Sequence, residues 1–182
     1  LTGIMDCRIL NNFHGKLQPS TLKNLKNYSI RINKEWASKF GIPQSTAITC
    51  VKPSGTVSQL VDSSSGIHAR HSSHYVRTVR GDNNDPLTRF MINAGIPNEP
   101  DVMQPDHTTI FSFPIKAPIN TVNRNSMTAI EQLEFWKFYA ENWCEHKPSV
   151  TISVREPEWV TVGSWCWENV EHLSGVSFLP YT

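Results

Sequence analysis

Six residues in the first third of the chain, Pro53 to Ser58, have the types and the spacing to hold a phosphate. Ala47, Ile48, Thr49, Cys50 and Val51 form a short apolar, β-branched run, and Lys52-Pro53-Ser54-Gly55-Thr56 follows it. The run predicts a buried strand over residues 47–51. Pro53 lacks the donor that a ladder needs, and Gly55 opens backbone angles that other residues avoid, so the strand must give way to a turn. Thr56-Val57-Ser58-Gln59-Leu60-Val61 can then begin a helix, with Ser54 or Thr56 as its hydroxyl cap. Strand, glycine turn and helix start together aim several N–H groups at one point, where the helix dipole also favours negative charge. The candidate ligands are the main-chain N–H groups of Gly55, Thr56 and Val57 and the hydroxyls of Ser54, Thr56 and Ser58, with Pro53 shaping the turn. An ordinary capped turn uses the same residue types. A Walker P-loop is excluded, because the second Gly and the Gly-Lys-Ser/Thr ending are missing.

The residues beyond the turn add positive charge. After the polar stretch Asp62-Ser63-Ser64-Ser65-Gly66, three Arg and three His fall among the thirteen residues from His68 to Arg80. Tyr75 to Arg80 reads as a strand, with Tyr75, Arg77 and Val79 on one face and Val76, Thr78 and Arg80 on the other. Such a lining suits a polyphosphate, and a solvated basic loop would have the same composition. His68, Arg70 and His71 are the candidate neighbours of a bound phosphate or cofactor.

The segments CVKPSGTVSQL and SSGIHARHSSHYVRTVR resemble the class II, adenosylcobalamin-dependent ribonucleotide reductases, in particular the monomeric group that reduces triphosphates. LTGIMDC at residues 1–7, HKPSVTISVREPEW at 146–159 and GVSFLPYT at 175–182 resemble the same family in the same order. The resemblance implies that residues 1–182 are one segment, the later part of a ten-stranded α/β barrel, and an incomplete domain. It implies that Pro53, Ser54, Gly55, Thr56, Val57 and Ser58 hold the substrate phosphates. The implied reaction replaces the ribose 2′-hydroxyl by hydrogen through thiyl-radical chemistry, with adenosylcobalamin as cofactor and thioredoxin or another dithiol as reductant. The family's radical cysteine lies in an Asn-x-Cys-x-Glu arrangement that this sequence lacks, so the segment alone should be inactive. Two other readings stay open: a class I diphosphate reductase, and a non-catalytic nucleotide-binding module. Class I enzymes usually carry a tandem tyrosine on the strand matching Val150 to Ser153, where this chain has Val-Thr-Ile-Ser.

Helices and strands must position the loop, and their signals alternate along the chain, which argues for an α/β fold. Leu1 to Leu10 reads as the end of one element running into another. Apolar residues Leu22, Leu25, Tyr28, Ile32, Trp36 and Phe40 recur at helical steps from Ser20, a plausible cap, and Gly41 and Pro43 stop the pattern. This stripe predicts a packing helix with lysines on its wet face. A turn at 81–86 leads to a short helix over 87–94 closed by Gly95, and a Pro-punctuated loop at 96–104 precedes a strand at 108–114. Thr128 and Glu131 fit a capping box. The helix they start carries Ile130, Leu133, Trp136, Tyr139, Ala140 and Trp143 toward a core. A strand at 149–154, a helix opened by Pro157 and running to Gly175, and a last strand from Val176 complete the reading.

The length suits one domain or a piece of a larger one, and Leu1 in place of Met suggests an excised or processed fragment. A net charge of +1 gives no global field toward nucleic acid or a membrane surface. No apolar run is long enough to span a bilayer, and no signal-peptide pattern is present. Cys7, Cys50, Cys144 and Cys166 form no Cys-x-x-Cys pair, so no zinc site is indicated and a reduced cytoplasmic chain is expected. Cys7, beside Ile4, Met5, Ile9 and Leu10, reads as a packing residue, as do Cys144 and Cys166 on aromatic-rich helices.

Overall fold

The computed structural model describes residues 1–12, 15–54, 57–119 and 121–181. They divide into two compact units, residues 1–70 with 119–182, and residues 71–118.

In the first unit, α1 (Pro19–Phe40) starts with Pro19 at its first position, where the missing N–H would have had no helical partner. Gln18 is the cap residue and makes no side-chain bond, so Ser20 is not the cap the sequence suggested. Gly41, at φ 66°, ends the helix and donates to Ala37 and Ser38. The expected packing stripe is mostly uncovered in this chain. Leu22 is fully buried, but Leu25, Tyr28, Trp36 and Phe40 are exposed, Phe40 by 66%. Periodicity marks which face of a helix is apolar, and does not say what covers it.

The first unit's core gathers around α4 (Ala129–Asn142). Its capping box forms as the sequence predicts: Thr128 accepts from the Glu131 N–H, and Glu131 reaches back to the Thr128 N–H. Leu133, Trp136 and Tyr139 are fully buried. The Trp136 indole donates to the Pro148 carbonyl at 2.7 Å, and the Tyr139 hydroxyl to the Leu10 carbonyl at 2.7 Å, so neither polar tip is left unpaired. Strands β4 (Val150–Val154) and β5 (Val176–Pro180) pair in parallel, Ile152 opposite Phe178. Between them α5 (Trp159–Glu168) is shorter than expected. Asn169 caps it, its amide donating to the Trp165 carbonyl at 2.8 Å, and the rest of the predicted helix is turn. Cys144 lies just past α4 rather than on it, and is buried.

The expected strand at 47–51 forms no ladder among the described residues. Side chains take the bonds that a neighbouring strand would make. The Ile48 and Thr49 N–H groups both donate to Glu145 Oε2, at 2.7 and 2.8 Å, and the Trp143 indole donates to the Cys50 carbonyl at 3.0 Å. The Glu145 N–H returns to the Thr49 carbonyl at 2.8 Å. The Leu1 nitrogen donates to the same Cys50 carbonyl at 2.7 Å. Val51 is fully buried in the core. The segment is therefore strand-like in burial, and held by a carboxylate and an indole instead of a sheet.

The second unit is an antiparallel sheet of order β1-β3-β2, formed by β1 (His74–Asp82), β2 (Asn98–Pro100) and β3 (Thr108–Lys116). Tyr75 opposes Ile115 and Val79 opposes Phe111. Helix α3 (Pro86–Asn93) has Asp85 as cap, its carboxylate accepting from the Leu87 N–H at 2.9 Å. Gly81 leaves room for Thr88 and for the buried ring of Phe111. β2 falls in the stretch read as loop; three residues ending in Pro give too short a pattern to recognise. Across the two units the class is mixed α/β, as expected.

Candidate functional site

Residues 52–58 leave the buried segment 47–51 and enter a single helical turn, α2 (Val57–Leu60), shorter than the sequence suggested. Gly55 and Thr56, expected to carry two of the phosphate-facing N–H groups and one hydroxyl, lie outside the described residues. Around them the loop is tied on both sides. The Ser54 N–H donates to Ser65 Oγ at 3.0 Å, and the Thr2 hydroxyl donates to Ser54 Oγ at 3.1 Å. The Val57 N–H donates to the Ser54 carbonyl at 3.0 Å. Val57 is exposed, whereas Ser58 is wholly buried, its carbonyl taking the Ser63 N–H at 2.7 Å. Of the described loop residues, Pro53 and Val57 are exposed, Ser54 is half-buried, and the Ser58 hydroxyl is inside.

A second segment, residues 62–70, supports the first. Gly66 sits at φ +59°, and a Cβ there would meet the Lys52 carbonyl oxygen at 2.9 Å and the Pro53 nitrogen at 3.2 Å. Only glycine allows the two backbones to come so close in that conformation. Its N–H donates to the Thr2 hydroxyl at 2.8 Å. Asp62, at φ 46°, turns the chain between α2 and this support.

Arg70 ties the support down. Its side chain is 4% exposed, and Nη2 lies 2.8 Å from Asp6 Oδ2 and 2.7 Å from the Asp62 carbonyl, while Nη1 lies 3.2 Å from Asp62 Oδ1. Asp6 also accepts from the Ser64 N–H at 2.7 Å and from the Thr121 hydroxyl. Burial works against ionisation of Asp6, but the bonds from Arg70, Thr121 and Ser64 outweigh it and hold the carboxyl below the usual Asp range. The guanidinium that the sequence offered to a phosphate is thus occupied by two aspartates. His68 is also engaged: Nδ1 lies 3.0 Å from the Ser65 carbonyl, and Nε2 accepts from the Thr151 N–H at 3.1 Å. His71 belongs to the second unit, where it is exposed and its ring lies 6.0 Å from that of Tyr75.

Sequence reading missed Asp6, Thr2, Glu145 and the role of Gly66. Gly66 had a signal, since a glycine that closes a polar stretch often marks positive φ. Asp6 and Glu145 had none, because their partners lie tens of residues away. Among the described residues no group of His, Cys, Asp or Glu is arranged to hold a metal ion.

The coordinates superpose on a B12-dependent, class II ribonucleotide reductase with a TM-score of 0.75 and 26% identity, over 90% of this chain and 23% of that one. The chain is 34% identical over 160 residues to the adenosylcobalamin-dependent ribonucleoside-triphosphate reductase of Euglena gracilis, covering 86% of itself and 21% of that protein. It is 28% identical over 165 residues to the enzyme of the same name from Lactobacillus gasseri, covering 88% and 22%. A probable reductase of this type from Dictyostelium discoideum is 29% identical over 153 residues, covering 82% and 20%. No family model matches the chain. The chain is a distant homologue of adenosylcobalamin-dependent ribonucleoside-triphosphate reductase and spans about a fifth of the length of those relatives.

Proposed function

We propose that this chain is the substrate-phosphate side of a class II ribonucleotide reductase, a segment of its α/β barrel, with residues 53–58 as the phosphate loop. The observation that carries this reading is the tethering of the loop's entry. The Lys52–Pro53 peptide rests against Gly66, and Ser54 is held by Ser65 and Thr2. A loop whose entry is held in place loses less entropy on binding an anion, and so keeps more of the interaction energy as affinity.

In the reaction proposed for the whole enzyme, the ribose 2′-hydroxyl of a ribonucleoside triphosphate leaves as water and hydrogen takes its place. A dithiol, thioredoxin or another, is oxidised to the disulfide. Adenosylcobalamin would supply the radical. The candidate neighbours His68 and Arg70 are taken up by protein partners, and no described cluster suits a metal. The chain's own part is to bind and align, since phosphate binding can be spent on orienting the ribose. A reducing, cytoplasmic setting goes with the four free cysteines, and no described helix is long and apolar enough to cross a membrane.

The test is an amide NMR titration of the ¹⁵N-labelled chain with a ribonucleoside triphosphate, with tripolyphosphate and with the bare nucleoside. The expected result is saturable shifts at Ser54, Val57 and Ser58 with the first two ligands and none with the nucleoside. Shifts confined to other residues would overturn the loop assignment.

A further inference from the structure

Among the described residues, strand β4 is paired with β5 along one edge only. The Val150 N–H points to that edge and donates to the Gly175 carbonyl at 2.9 Å. Alternation sends the Thr151 and Ser153 N–H groups the other way, and side chains receive them. Thr151 donates to His68 Nε2 at 3.1 Å, and Ser153 to Gln132 Oε1 at 3.4 Å.

The other ring nitrogen of His68 faces the Ser65 carbonyl at 3.0 Å. A carbonyl can only accept and a backbone N–H can only donate. The two partners therefore fix the ring, with the proton on Nδ1 and the lone pair on Nε2. Ser65 in turn accepts the Ser54 N–H on its hydroxyl oxygen at 3.0 Å. An unbroken path of three hydrogen bonds thus runs from Ser54, in the candidate loop, through Ser65 and His68 to β4. A small cavity of about 20 Å³, lined in part by Met5, Ile67, Gln132 and Val150, adjoins the ring.

We propose that His68 is a positioning residue for the loop. Locked as the Nδ1–H tautomer, its ring registers Ser65, and through it Ser54, against β4, and so sets the loop's affinity for a polyphosphate. It touches no ligand itself. The affinity part rests on the phosphate-loop reading; the coupling of Ser54 to β4 does not.

The experiment uses the ¹⁵N-labelled chain and two substitutions. His68→Asn restores a donor near Nδ1 but does not reach Thr151. His68→Gln restores an acceptor near Nε2 but gives up Ser65. Three quantities are read: the ring ¹⁵N shifts of the unsubstituted chain, the amide exchange rates of Ser54 and Thr151, and the dissociation constant for tripolyphosphate. The ring should show Nδ1–H with unprotonated Nε2. Both variants should remain folded, speed Ser54 exchange and weaken tripolyphosphate, each by about tenfold, the order of one hydrogen bond. An Nε2–H ring would overturn the proposal without any substitution. So would His68→Asn with Ser54 exchange and affinity unchanged, because a local turn at Ser65 would then suffice. If the unsubstituted chain ignores tripolyphosphate, the phosphate reading fails, and Ser54 exchange alone decides the coupling.

Discussion

Replacing Gly66 by alanine tests the closest approach in the site. The substitution puts a Cβ 2.9 Å from the Lys52 carbonyl oxygen at a residue with φ +59°. Two effects add. An L-residue in the left-handed region costs about 1–2 kcal/mol, offset by roughly 0.5–1 kcal/mol from the reduced entropy of the unfolded chain. The contact itself is with backbone, which cannot rotate away, and overpacking of this kind costs about 1–3 kcal/mol. The sum is a loss of about 1–4 kcal/mol. Gly41→Ala is the control, because Gly41 has nearly the same φ, +66°, with nothing within 4 Å of its would-be Cβ. It carries the first effect alone, about 1 kcal/mol. Urea unfolding followed by tryptophan fluorescence measures both, and the expected gap of about 2 kcal/mol corresponds to roughly 4–8 °C in melting temperature. Equal losses in the two variants would show that the Lys52–Pro53 peptide yields freely, and would refute the argument that Gly66 fixes the entry to the loop.

Asp6→Asn should destabilise by about 3–5 kcal/mol in the same assay, because it leaves a buried guanidinium without its main partner; Asp62→Asn, at a side chain 70% exposed, should cost less than about 1 kcal/mol. Asp6 also predicts a pH dependence. Its folded carboxyl titrates below the unfolded value of about 3.9, so its contribution is complete above that value and is lost as pH falls through the folded one. Stability measured from pH 6 down to pH 2 should therefore fall less steeply in Asp6→Asn, and parallel curves would count against the assignment. Thr128→Ala removes one half of the capping box and should cost about 1 kcal/mol, read from the thermal midpoint. Burial pushes the Cys144 thiol up to about 11, so iodoacetamide at pH 8 should leave it unmodified in the folded chain, as peptide mapping would show.

The parts of the fold that could be read in the sequence are those set by neighbours along the chain. Thr128 and Glu131 are three residues apart, and Pro19 and Gly41 bracket an unbroken helical period, so α4 and α1 appear where local chemistry puts them. The run at 47–51 shows the limit. Its burial was legible from its apolar residues, but its bonding partners were Glu145 and Trp143, about ninety residues further on, and no local pattern distinguishes a carboxylate that caps two amides from a strand that pairs with them. The α1 stripe shows the same limit from the other side, since its apolar face is real and the described residues leave most of it uncovered.

The basic residues of the site make the point most sharply. His68, Arg70 and His71 fall within four positions, and their composition alone suggested one cationic lining. The fold gives them three different settings. Arg70 is drawn inward because two aspartates, Asp6 and Asp62, can neutralise it there, and a buried guanidinium needs such partners. His68 is held between the Ser65 carbonyl and the open edge of β4, with both nitrogens occupied. His71 begins the second unit and faces solvent. For the loop at 53–58, positive charge in the nearby sequence therefore acts mainly as structure: two of the three cationic candidates hold the support beside the loop. Neutralising Arg70 should then harm folding before it harms affinity. Substituting His68 should do the reverse.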